Sequence, residues 1–183
     1  MSKIHTAENF SKERYARTTS KYGVIPHYEH LASVVTRLKN LGISDEDIIS
    51  ATWLHGIIDN TETTFDEIEH RFGSKTAVLV LSTSRDKSLP RARQEDQFVK
   101  QLKEAPLDAK LIKLCDISAS LRNLKNSTLS RSKKTKEGKK MAFYLNVIKP
   151  DLSKNKSQVP GIVSLINGIN DMISEYGQKP IIL

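Results

Sequence analysis

Residues 51–61 read ATWLHGIIDNT. Apolar residues recur at three- and four-residue spacing through this stretch and the preceding SDEDIIS, which predicts a buried helix carrying a histidine beside a glycine. A lone histidine on an apolar helix face is most often a hydrogen-bonded core residue, so His55 by itself argues only for packing. Ser44 stands where a hydroxyl caps the helix, with Asp47 at the capping-box position and Asp45 and Glu46 suiting the positive helix end.

Working outward, the same helical spacing continues. Upstream, a helix over 29–40 places Leu31, Val34, Val35 and Leu38 on one face, with Gly42 as its terminator. Before it, residues 8–20 read as a short amphipathic helix, and Gly23 and Pro26 mark a loop. Downstream, TETTFDEIEHRFG (61–73) predicts a helix capped by Thr63 or Thr64 and stopped by Gly73. AVLVLSTS (77–84) is the one strand candidate, and it equally suits the end of a buried helix. A polar loop over 84–94 contains Pro90, and helices are predicted over 94–104, 107–124, 138–149 and 159–176. The fold class is therefore all-α: a single compact helical bundle spanning 1–183, long enough to bury about two-thirds of its extended-chain surface.

Composition narrows the function classes. No apolar run reaches the roughly 20 residues of a membrane span, and charges occur throughout the first thirty residues, where a signal peptide would be apolar. The expectation is a cytoplasmic protein with no membrane partner. Cys115, the single cysteine, lies in an apolar run and reads as a buried thiol. The net charge of +8 favours anionic partners. Seven lysines and arginines against Glu137 fall between Lys125 and Lys140, a segment that reads as a solvated loop. No aromatic residue interleaves these lysines, which argues against nucleic acid and leaves a polyphosphate as the specific alternative. The sequence carries no signal of oligomeric state.

Three metal-capable side chains, His30, His55 and Asp116, sit in separate predicted helices, and imidazole with carboxylate suits divalent Mn, Fe or Zn. Their order and surroundings carry a resemblance. HLASVVTRL (30–38), ATWLHGIIDNTETTFDEIEHRFGSKTAVLV (51–80) and AKLIKLCDISASLRNL (109–124) resemble the HD-domain hydrolase region of RelA/SpoT-type proteins, and the small alarmone hydrolases most of all. DKSLPR (86–91) and KKMAFYLNVIKP (139–150) extend the likeness, which covers roughly residues 10–150.

The resemblance implies an HD fold and a metal-dependent 3′-pyrophosphohydrolase of guanosine tetra- or pentaphosphate. Its metal ligands fall on His30, His55 and Asp116, holding Mn²⁺ or another divalent ion. The fourth ligand, an aspartate after the second histidine, falls on Gly56, which has no side chain to offer. A Glu-Asp pair that positions the attacking water falls on Asp59 and Asn60, the implied catalytic residues; Asn60 keeps shape without a basic group. Lys21, Lys87, Ser120 and Tyr144 fall on nucleotide-contacting positions. Ser120 replaces an asparagine there, Ile117 replaces an arginine, and His27 stands at a loop tyrosine. The implied partner is a phosphorylated nucleotide, an alarmone; Ile117 and Ser120 equally suit an adenine alarmone.

On the predicted helix His55 and Asp59 are i and i+4, so Asp59 is placed to share an ion with His55. Gly56→Asp is then expected to add a few tenths of a kcal/mol of helix stability. Three readings stay open: a working hydrolase, a catalytically impaired domain that binds nucleotide in a regulatory role, and a scaffold. Lys21, Lys87 and Tyr144 favour the two that bind.

Overall fold

The computed structural model describes residues 2–183. In chain order its helices are α1 (Lys3–Arg14), α2 (His27–Asn40), α3 (Glu46–Leu54), α4 (Ile57–Asn60), α5 (Phe65–Phe72), α6 (Ser74–Ser82), α7 (Arg91–Glu104), α8 (Leu107–Asn126), α9 (Arg131–Asn155) and α10 (Ile162–Ser174), with a 3₁₀ turn at Lys156–Gln158. Among the described residues there is no strand, only an isolated bridge between Thr19 and Pro26. The fold is all-α, as the periodicity predicts.

The core forms around α8, whose Leu111, Ile112, Leu114, Ile117, Leu121 and Leu124 are buried. Helices α2, α3, α6, α9 and α10 pack against it, α1 covers α3, α5 lies on α6 and α7 on α9. The α2 face read from sequence is the face that enters this core, with Leu31, Val34, Val35 and Leu38 all buried. Gly42, at φ +88°, ends that helix in the left-handed conformation that a Cβ disfavours.

Several boundaries differ from expectation. The first helix is Lys3–Arg14 and not 8–20, since Ser2 caps it by accepting from the His5 amide. Asp45, not Ser44, caps α3, its carboxylate accepting from the amides of Asp47 and Ile48; a carboxylate at the positive helix end does both the bonding and the charge compensation. Thr64, not Thr63, caps α5. The strand candidate is helical and buries Ala77, Leu79 and Val80 as α6. The 84–94 loop is shorter than read, because Pro90 precedes α7 as its N-cap instead of interrupting it.

The largest difference is α9. Most of the basic segment read as a loop, residues 131–140, forms the first turns of this helix, capped by Ser130, whose hydroxyl accepts from the Lys133 amide, while Lys125 lies in the last turn of α8. The helix also runs through Pro150 to Asn155. Lysine is a good helix former, and Gly138 within the segment gives Tyr176 close access: a Cβ there would stand 2.6 Å from the tyrosine ring. The last helix is correspondingly shorter than 159–176, at Ile162–Ser174.

Candidate functional site

The 51–61 stretch does not form one helix. Helix α3 ends at Leu54, His55 is extended at φ −63°, ψ 140°, and Gly56 takes φ +76° before α4 restarts at Ile57. Glycine adopts this left-handed backbone without the Cβ penalty other residues carry. The freed carbonyls at the end of α3 are taken up locally. Ser11 of α1 donates to the Trp53 carbonyl, and the His55 ring meets the Thr52 carbonyl through Nδ1 at 2.7 Å. That last bond fixes the imidazole with Nε2 pointing away from α3. His55 is therefore aimed by a helix end, and the expected i, i+4 pairing with Asp59 on one helix does not exist.

His55 Nε2 faces Asp116 Oδ1 at 3.6 Å, and His30 Nε2 reaches the same oxygen at 3.1 Å. Donor atoms of His30, His55 and Asp116 all lie within 4.8 Å of one another, a group able to hold a metal ion. Helices α2 and α8 and the α3 terminus thus bring together three residues far apart in the chain. The Asn123 side-chain amide lies 3.3 Å from His30 Nδ1, where it orients that ring. Burial alone would raise the Asp116 carboxyl. Lys113, with Nζ 2.9 Å from Oδ2, and the two histidines hold it instead well below the usual carboxylate range. The carboxylate is charged across the physiological range, as a ligand must be.

These groups floor a cavity of about 560 Å³, a size that accommodates a nucleotide. Lys21, Arg85, Lys113 and Lys140 line it beside Asp59, Asp116 and Glu137. Lys21 pairs with Glu137, which also accepts from the Tyr22 hydroxyl at 3.0 Å. Arg85 donates to the Tyr144 hydroxyl at 2.8 Å, Tyr144 donates to Glu95, and Lys140 stands 3.2 Å from Glu95. Ser120 donates to Asp116 Oδ1 at 3.2 Å.

Of the nucleotide-contacting residues expected from sequence, Lys21, Ser120 and Tyr144 line the cavity. Tyr144 is a buried wall residue and not a surface aromatic. Lys87 is not in the lining: its ammonium donates to the Thr61 carbonyl at 3.0 Å. Asp59 and Asn60 both line the cavity, each with its polar group engaged. Both Asp59 oxygens accept from the Arg85 amide, at 3.1 and 3.2 Å, and the Asn60 amide donates to the Gly56 carbonyl at 2.8 Å. Burial raises the Asp59 carboxyl, and the Arg85 amide and guanidinium act against it.

Sequence reading missed Arg85, Lys113, Glu95 and Tyr15. Tyr15 is buried, its hydroxyl has no hydrogen-bond partner, and it stands 3.6 Å from the point a Cβ on Gly56 would occupy. His27 stacks on it at 3.9 Å. Burial, then the charges of His55 and His30, lower the His27 imidazole to about 4. Only Lys113 had a sequence signal available, three residues before Asp116 on one helix face; the others meet the site across separate elements.

Comparison with known proteins agrees with this geometry. The HD-domain family model matches residues 7–144. The guanosine-3′,5′-bis(diphosphate) 3′-pyrophosphohydrolase MESH1 of Danio rerio is 36% identical over 122 residues, 66% of this chain and 68% of its own length. A guanosine-3′,5′-bis(diphosphate) 3′-pyrophosphohydrolase of Aquifex aeolicus is 32% identical over 135 residues, 73% of this chain but 19% of that larger protein. A solved structure described as a metazoan ortholog of SpoT that hydrolyzes ppGpp shares the fold, with a TM-score of 0.77, 20% identity and 97% coverage of both chains. The chain belongs to the HD-domain family, within its small alarmone hydrolase group.

Proposed function

We propose that the chain, acting as one unit over 1–183, is a metal-dependent pyrophosphohydrolase of a 3′-pyrophosphorylated nucleotide in the cytoplasm, with guanosine tetraphosphate as its first candidate substrate and Mn²⁺ as its first candidate ion. The observation that carries this reading is the convergence of His30, His55 and Asp116 within 4.8 Å on the floor of a cation-lined cavity. Two imidazoles and one carboxylate match the donor chemistry of a hydrolytic divalent site that keeps positions open for substrate. A divalent ion there would supply Lewis acidity toward a phosphoryl oxygen and lower the pKa of water.

The chain's own residues supply the rest. Lys21, Arg85 and Lys140 offer positive charge to phosphates, each exchanging a resident carboxylate, Glu137 or Glu95, for a substrate oxyanion. Lys113 keeps Asp116 charged and adds a cation beside the reacting end. Asp59, within the same cavity and with its carboxyl raised by burial, is the group suited to orient water and accept its proton. Asn60 orients by hydrogen bonding alone.

A second reading has its own support. Gly56 contributes no donor, and Asp59 and Asn60 are both engaged in backbone hydrogen bonds. A domain that binds the nucleotide in a regulatory role without turning it over fits those facts. Lys87 lies outside the cavity lining, while Ser120 and Ile117 leave room for an adenine base. Elemental analysis of the purified chain and of Asp116→Asn tests the metal on which hydrolysis depends. One divalent ion per chain, lost in the variant, is expected; equal, substoichiometric metal in both leaves only the regulatory reading.

A further inference from the structure

The first turn of α2 carries a second histidine that the three-donor set does not use. We propose that His27 is a further metal donor of this chain, supplying the coordination position that Gly56 leaves empty of any side chain. The inference rests on the reading that the cavity floor holds a divalent ion.

The carboxylates and the amide lining the cavity around Gly56 are committed, and the two partnerless hydroxyls there, Tyr15 and Ser20, are neutral groups that make weak metal donors. Both Asp59 oxygens are held by the Arg85 amide, the Asn60 amide by the Gly56 carbonyl, and Glu137 by Lys21 and Tyr22. His27 differs. Its Nε2 is buried and has no hydrogen-bond partner, a state that proteins seldom leave without a use. The ring lines the same cavity as His30 and His55. Its centroid lies 5.8 Å from that of His30, matching the 5.9 Å between His30 and His55, two rings that already converge on Asp116. Positions 27 and 30 are i and i+3 on one helix, so both side chains rise from the same face.

The ring is also held in a way that permits the role. Its face stacks on Tyr15 at 3.9 Å, and its backbone amide donates to the Thr18 carbonyl at 3.0 Å. As the chain stands, His27 lies outside the three-donor group, so the role needs a half-turn about Cβ–Cγ, which returns the ring to the plane stacked on Tyr15, exchanges its contact with the Thr19 backbone and breaks no hydrogen bond at Nε2. The resulting set has three neutral imidazoles and one carboxylate. With a divalent ion it carries one more unit of positive charge than a set with two carboxylates, which strengthens its pull on a phosphate. It also disfavours Mg²⁺, an ion that prefers an all-oxygen shell.

The test loads the full chain with Mn²⁺ and counts coordinated histidine nitrogens by pulsed electron paramagnetic resonance. Three are expected in the unmodified chain and two in His27→Phe, which keeps an aromatic ring on Tyr15. Mn²⁺ affinity, from the free-ion signal, should weaken about tenfold or more in the variant. Two nitrogens in the unmodified chain overturn the inference and leave the metal reading intact. So does an unchanged count and affinity in His27→Phe. No Mn²⁺ binding by the unmodified chain overturns both. The count on the unmodified chain decides the matter even where the variant folds poorly.

Discussion

At residue scale, Gly56 decides how the site is read. Its φ of +76° makes it the hinge between α3 and α4, and a Cβ there would stand 3.2 Å from the Asn60 side-chain nitrogen. The sequence-based expectation that Gly56→Asp adds helix stability fails for this reason: the position is not helical. Asp in a left-handed conformation costs about 1 kcal/mol relative to glycine, and the Asn60 amide must also give way. Urea denaturation should show Gly56→Asp less stable by about that amount, and a gain in stability would place the residue inside a regular helix after all. Cys115 gives a second residue-level prediction. It is fully buried, and burial pushes its thiol up to about 12. A thiol reagent at pH 8 should leave the native chain unlabelled and react only after denaturation; rapid native labelling would show the α8 core to be open.

At the scale of elements, α7, α8 and α9 meet at Lys110. Its side chain is 2% exposed, its ammonium donates to the Lys103 carbonyl at 2.8 Å near the end of α7, and it pairs with Asp151 on α9. Removing one partner of a buried pair is costlier than removing the charge, because an uncompensated ion stays behind. Asp151→Ala should therefore cost about 2 kcal/mol, moderated by the partial exposure of Asp151, whereas Lys110→Met should stay within about 1 kcal/mol of the unmodified chain. Equal losses in the two variants would mean that the pair acts only through packing. This junction was not legible in the sequence: Lys110 occupies a core-facing position of α8, and nothing in its spacing shows that an aspartate 41 residues later neutralises it. The apolar faces were legible, since burial of Leu31, Val34, Val35 and Leu38 imposes the helical period directly. The start of α9 was not, because lysines on a solvated helix leave no apolar period to read. Its glycine, which reads as a breaker, is explained only by the Tyr176 ring against it.

Over the whole molecule, the three metal-capable residues were legible because they sit in segments of recognisable order, while Arg85, Glu95 and Tyr144 form one network only through the packing of α7 against α9. Lys21, Arg85, Lys113 and Lys140 line the cavity against Asp59, Asp116 and Glu137, a small positive excess that adds to the chain's net charge of +8 in favouring a polyphosphate. Calorimetry should show nucleotide affinity falling as salt rises, since exposed charges are screened over about 8 Å at physiological ionic strength. Salt-independent binding would place the nucleotide away from these cations. In the proposed function, His30, His55 and Asp116 hold an ion that serves to cleave a pyrophosphate from a nucleotide. The most direct test is pyrophosphate release from guanosine tetraphosphate, measured across a Mn²⁺ titration and again after chelation. Release is expected to saturate with Mn²⁺, to stop with chelator and to be absent in Asp116→Asn; an unmodified chain that binds the nucleotide yet releases no pyrophosphate at any Mn²⁺ concentration would rule out hydrolysis at this site.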